Sequence, residues 1–105
     1  MQIQINTDGN VEGNERLAGQ VKAVVRDALE RFSAQITRVE VHLGDENSDK
    51  KFGTDDMHCL LEVRLAGLQP ISVRHRAATL EQAVDGAAEK MTRSLDSTLG
   101  RLGER

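Results

Sequence analysis

Two long runs of alternating apolar and polar residues constrain the fold of this chain more than any other feature. They cover residues 37–43 and 57–65. Successive side chains of a β-strand point to opposite faces of its sheet, so each run predicts a strand with one buried face. The predicted buried rows are Val39, Val41 and Leu43 in the first run and Met57, Cys59, Leu61, Val63 and Leu65 in the second.

Two shorter segments alternate in the same way. Residues 2–6 alternate polar and apolar side chains before the turn-forming stretch 7–10. Residues 71–76 alternate after the short hairpin connection 66–69, with Pro70 at the start, where a strand tolerates proline. These segments predict the first and fourth strands.

Two other segments have the apolar spacing of amphipathic helices. The first follows Asn14, a predicted N-cap, and extends to Phe32, whereas the second follows a capping box at residues 79–82 and extends to about Leu99. Gly19 and Gly86 lie inside these patterns, where each costs about 1 kcal/mol relative to alanine. Both glycines therefore predict a close approach of another element.

The element order β-α-β-β-β-α predicts an α+β fold, a two-layer sandwich. In it a four-stranded mixed sheet carries two helices on one face. The first two strands flank a helix, so they are predicted to be parallel and joined by a right-handed crossover. A length of 105 residues suits one domain, so a single domain over residues 1–105 is expected.

Other features bear on the cellular compartment. The chain has no apolar stretch long enough to span a membrane, and its N-terminus lacks a signal-peptide pattern. The single cysteine, Cys59, excludes a disulfide framework. A cytoplasmic protein with no membrane partner is the expectation.

Catalytic and metal-binding motifs are not found. His58 and Cys59 are adjacent on a predicted strand and face opposite ways, so they cannot share a ligand sphere with His42. An acidic loop, residues 44–56, offers side-chain oxygen ligands at Asp45, Asn47, Asp49 and Asp56. However, Lys50 occupies the position where a calcium-binding loop needs glycine. The chain is therefore predicted to be no enzyme and to need no cofactor or metal.

The net charge of −3 resides in one loop. Residues 44–56 contain five acidic residues and two lysines, so the rest of the chain is neutral on average and can still present a basic face. The basic, outward-facing candidates for contact with an anionic partner, which the resemblance described below implies is RNA, are Lys22, Arg26, Arg74, Arg76, Lys90, Arg93 and Arg101. Two aromatic residues are too few for a base-stacking surface, so contact would be with phosphates. An ordinary solvated face is the alternative, because acidic residues such as Glu89 and Asp96 lie nearby.

The chain also resembles the ribosome hibernation promoting factor family, also called ribosome-associated translation inhibitors or ribosomal subunit interface proteins. The likeness covers about residues 1–102. It rests on segments 3–5, 36–43 and 79–91, and on the step Val84-Asp85-Gly86 leading to Lys90, Arg93 and Leu95. Short family members continue this last helix with a run of lysines, whereas here residues 95–102 retain mainly Arg101.

The resemblance implies a β-α-β-β-β-α sandwich that binds the RNA of the small ribosomal subunit and inhibits translation in stress or stationary phase. DNA is not an expected partner. Because the last helix has fewer basic residues, we expect weaker RNA binding, with a smaller salt dependence, than a lysine-rich helix would give. The alternative is a divergent member that acts as a protein–protein interaction module or a homodimer, without tight RNA binding.

Overall fold

Each predicted helix begins directly after a residue whose side chain caps it. In the computed structural model, which describes residues 1–8, 11, 13–45 and 56–103, helix α1 covers Glu15–Leu29 and helix α2 covers Leu80–Gly103. Asn14 Oδ1 accepts a hydrogen bond from the Leu17 amide at 2.8 Å, and Thr79 Oγ1 accepts one from the Gln82 amide at 3.1 Å. Both N-caps are therefore confirmed.

Four strands form one sheet. They are β1 (Gln2–Thr7), β2 (Ile36–Asp45), β3 (Met57–Leu65) and β4 (Ile71–Ala77), in the spatial order β1-β2-β3-β4. β1 pairs with β2 in parallel, and the other two pairs are antiparallel. The predicted mixed sheet and β-α-β-β-β-α order are confirmed.

The core lies between the sheet and the two helices. The fully buried rows come from alternate positions of β2 and β3 and from one stripe of each helix: Val25, Leu29, Val39, Val41, Leu43, Cys59, Leu61, Val63, Ala87, Met91 and Leu95. This alternation buries one sheet face and leaves the other polar, as the sequence predicts. α2 lies over β3 and β4, and α1 packs against α2 and β1.

Several boundaries differ from the sequence prediction. α1 ends at Leu29, and residues Glu30–Phe32 form a 3-10 turn that buries the ring of Phe32. β2 begins one residue early, where a register shift between Ile36 and Arg38 lets Ile36 join the core out of alternation. In the β3–β4 connection Gly67 adopts a φ of 74°, a left-handed conformation that favours glycine.

The two helical glycines have different surroundings. A Cβ on Gly86 would overlap the ring of His75 on β4, so the predicted close approach is confirmed there. Among the described residues, no atom outside the adjoining helix backbone lies within 4 Å of the position of a Cβ on Gly19, so the same prediction was wrong for Gly19. Within the described residues, no helix is long and apolar enough to cross a membrane.

Candidate nucleic-acid interface

Four of the predicted basic residues belong to β4 and α2, two elements that pack against each other. Arg74 and Arg76 are exposed on β4, and Lys90 and Arg93 are exposed on α2. The Nζ atom of Lys90 donates a hydrogen bond to the backbone carbonyl of Arg74 at 2.9 Å. We refer to Arg74, Arg76, Lys90 and Arg93 as the β4–α2 flank.

The close packing of α2 on β4 explains this contact. His75 points toward the helix layer, and its ring occupies the space that a side chain at position 86 would fill. Lys90 lies one helical turn after Gly86. Because the helix axis comes close to β4 at Gly86, the side chain of Lys90 can reach the outer edge of the strand.

Carboxylates lie close to Arg93, Arg38 and Arg64. Arg93 forms an ion pair with Glu89, one turn earlier on α2. On the polar face of the sheet, Arg38 lies 4.0 Å from a carboxylate oxygen of Glu40. On β3, Arg64 lies 3.7 Å from a carboxylate oxygen of Glu62. On the polar face of the sheet, Arg38 and Arg64 therefore each lie beside a carboxylate.

Lys22 and Arg26 lie on the other side of the helix layer. Val24 lines a groove between the two helices together with Leu80 and Val84, so Val24 faces α2. Lys22 and Arg26 are each two residues from Val24, which is about 160° around the helix at 3.6 residues per turn. The structure therefore does not join these two residues with Lys90 in one face. We refer to Glu15, Gly19, Lys22 and Arg26 as the α1 flank.

The last predicted contact, Arg101, belongs to α2, which extends to Gly103. Its backbone position lies about three turns beyond Lys90 on the same helix. Its side chain lies outside the described part of the structure. Residues 46–55 of the acidic loop also lie outside the described part of the chain, so the predicted absence of a calcium site stays a prediction.

The histidine and cysteine residues do not form a cluster. Cys59 is fully buried in the core, and burial raises the pKa of its thiol to about 12, so the reactive thiolate does not form near neutral pH. His58 lies on the opposite face, against Gly44 of β2, as its adjacency to Cys59 predicts. Among residues 1–8, 11, 13–45 and 56–103 no three histidine, cysteine or acidic side chains are placed to hold a metal ion.

One contact joins the 3-10 turn after α1 to helix α2 and has no signal in the sequence pattern. The guanidinium of Arg31 makes two hydrogen bonds of 2.7 Å to the carboxylate of Asp96 and lies 4.2 Å from the ring centroid of Phe32. The hydrogen bonds lower the pKa of Asp96 and raise that of Arg31. The partners are 65 residues apart, and no local sequence pattern links them.

Comparisons with known proteins agree with this architecture. The sequence matches the family described as sigma 54 modulation protein / S30EA ribosomal protein over residues 3–102. A ribosomal subunit interface protein from Coxiella burnetii aligns with a TM-score of 0.70 at 16% identity, covering 95% of this chain and 99% of that one. The N-terminal domain of Protein Y from Thermus thermophilus aligns with a TM-score of 0.73 at 19% identity, covering 93% of this chain and 99% of that one. At these identities the likeness concerns the fold alone, and a search of the curated proteins finds no match.

Proposed function

Because the chain belongs to the sigma 54 modulation protein / S30EA ribosomal protein family, the hibernation-factor family, we propose that it binds the small ribosomal subunit through RNA. Bound there, it inhibits translation in stress or stationary phase. In this proposal residues 1–105 act as one ribosome-associated domain in the cytoplasm, with no catalytic step and no cofactor.

The observation that carries the proposal is the β4–α2 flank. Arg74 and Arg76 are exposed on the edge strand β4, and Lys90 and Arg93 are exposed on α2, the helix that packs against this strand. The Lys90 contact holds the helix and the strand together at that place. Lysine and arginine side chains at an exposed edge are suited to phosphate oxygens, and RNA helices are recognised chiefly by shape and backbone.

The remaining candidate residues have lesser roles in the proposal. Lys22 and Arg26 supply a second, separate phosphate contact, and Arg101 extends the α2 contact toward the end of the helix. Arg93 contributes less than a free arginine because Glu89 shares its charge. The main contact is assigned to Arg74 and Arg76 of the edge strand and to Lys90, which is bonded to the backbone of that strand.

Co-sedimentation with purified small ribosomal subunits, at low and then moderate salt, tests the proposal. The test variant is Arg74→Gln/Arg76→Gln, and the matched control is Lys22→Gln/Arg26→Gln, which removes the same charge from the α1 flank. The wild-type chain should bind at low salt and be released as salt rises. The test variant should bind at least about tenfold more weakly and lower the slope of log affinity against log salt by about 2.

The two possible failures are distinct. A wild-type chain that stays unbound even at low salt contradicts ribosome binding and favours the alternative of a protein partner. A control variant that loses as much affinity as the test variant contradicts the assignment to the β4–α2 flank. Circular dichroism of each variant establishes that the fold is retained.

A further inference from the structure

The outer edge of β1 presents backbone groups that can pair with another strand. The Asp8 amide donates to the Leu43 carbonyl of β2 at 3.0 Å, so the backbone of Asp8 points toward β2. Backbone groups alternate in direction along a strand, so those of Ile3, Ile5 and Thr7 point away from the sheet. Within the described ranges, no residue forms a backbone hydrogen bond to these three residues from outside the sheet.

β1 lacks the features that usually protect an edge strand. Residues 2–7 include no charged residue and no proline, and their pairing with β2 has no register shift. The side chains of Ile3 and Ile5 are only half-buried against the core. An uncharged, regular edge of this kind is a template for strand addition.

A second copy of β1 is a complementary partner for this edge. When two β1 strands run antiparallel about a two-fold axis at Ile5, the outward amide and carbonyl of each Ile5 face those of the other. Ile3 of each copy then faces Thr7 of the other copy. The isoleucine side chains of both copies lie on the helix-covered face, where each covers the exposed part of the other.

The α1 flank adds charge complementarity. Glu15 and Ala18 line a groove together with Ile5 and Thr7, so this side of α1 overhangs the β1 edge. Lys22 lies one turn beyond Ala18, and Arg26 one turn beyond Lys22. A two-fold axis makes the two α1 helices antiparallel, which brings Glu15 of one copy toward Lys22 of the other. Gly19 lies between these charges, with no atom within 4 Å of its Cβ position, so the helices can approach closely.

We propose that the β1 edge and the α1 flank form a two-fold interface with a second copy of this chain. The two four-stranded sheets then join into one continuous sheet. This inference does not depend on ribosome binding. In such a dimer the β4–α2 flank is at the far edge of each copy and stays open to RNA, whereas Lys22 faces a carboxylate and contacts phosphate only in the monomer.

Two measurements on the wild-type chain test the interface. Sedimentation equilibrium over a concentration series up to about 1 mM, the range of a weak dimer, should give a mass that rises from 11.6 kDa toward twice that value. Amide hydrogen exchange should show protection of Ile3 and Ile5 that increases with concentration. The Gln4 amide, which faces β2, is the internal control and should be protected at every concentration. A monomer over the whole range overturns the proposal.

Variants then test the residues of the interface. Ile5→Pro removes an amide that points away from β2, so it should abolish the dimer while the β1–β2 pairing remains. Glu15→Lys and Lys22→Glu should each weaken the dimer at least tenfold, and the double variant Glu15→Lys/Lys22→Glu should restore it. A dimer that persists in all of these variants uses a different surface and overturns the proposal. The charge variants keep the test valid if Ile5→Pro does not fold.

Discussion

The two edge strands of the sheet, β1 and β4, have similar lengths but are protected differently. β4 carries two exposed arginines, follows Pro70, and has its Arg74 carbonyl bonded by Lys90 of α2. β1 carries no charge, and no described residue forms a backbone hydrogen bond to its edge from outside the sheet. Charge, a proline and a neighbouring helix thus protect one edge, while the other edge offers only backbone groups and half-buried isoleucines.

The difference depends on how closely each helix approaches its edge strand. At the β4 edge a helical glycine, Gly86, admits the ring of His75, and this brings α2 within reach of the strand. At the β1 edge the helical glycine, Gly19, faces open space. The same residue type therefore marks a close contact between elements on one side of the molecule and no such contact on the other.

Substitution of the two glycines should give the largest contrast between the edges. Gly86→Ala should lower the free energy of unfolding by about 1–3 kcal/mol, because its methyl group overpacks against His75. Gly19→Ala should raise it by about 0.5–1 kcal/mol, because alanine favours the helix and no neighbour obstructs the methyl group.

Urea unfolding at low protein concentration measures both changes without a contribution from self-association. The double variant Gly86→Ala/His75→Ala, which removes the obstructing ring, should lose less stability than the sum of its single substitutions. A Gly86→Ala variant whose free energy of unfolding equals that of the wild-type chain would contradict the close packing of α2 on β4.

Removal of the Lys90 ammonium should have an intermediate effect. Lys90→Met keeps most of the aliphatic stem and deletes the donor to the Arg74 carbonyl, so it should cost about 0.5–1.5 kcal/mol. Lys22→Met makes the same change on the α1 flank and should stay within about 0.5 kcal/mol of the wild-type chain. If urea unfolding gives the same value for both variants, Lys90 has no special structural role.

The smallest effect is expected at the contact between Arg31 and Asp96, which joins the helices and belongs to neither edge. The pKa of Asp96 is lower in the folded chain than in the unfolded one, so the contact stabilises the fold fully above the ordinary carboxyl pKa of about 3.9 and is lost as the pH falls further. Asp96→Asn should therefore lower Tm slightly near neutral pH. The difference should shrink in acid, and thermal unfolding across a pH series checks this. A difference that does not change with pH would contradict the ion pair as its cause.

Most of the fold could be predicted because the information is local. Alternation along β2 and β3, and the caps Asn14 and Thr79, act within a few residues, and each is confirmed. The errors occur where distant parts meet. The register shift at Ile36 and the empty surroundings of Gly19 depend on which elements lie alongside, and a residue's sequence neighbours do not encode this.

The candidate interface was predictable only as a set of outward basic residues. Periodicity indicates that Lys22, Arg26, Lys90 and Arg93 face solvent, but it cannot tell which helix side faces the other helix. The structure divides these residues between two flanks, because Val24 faces α2 and Lys90 reaches β4. The contact between Lys90 and a backbone carbonyl cannot be predicted from the sequence, because every residue has a backbone carbonyl.

The position of Cys59 gives the molecule a built-in reporter. Its thiol is the single one in the chain, lies in the middle of the sheet, and is fully enclosed. A thiol reagent can reach it only when the helices separate from the strands, so the rate of its modification reports how often the core opens. The wild-type sequence therefore needs no introduced label for measuring how often its helix layer separates from its sheet.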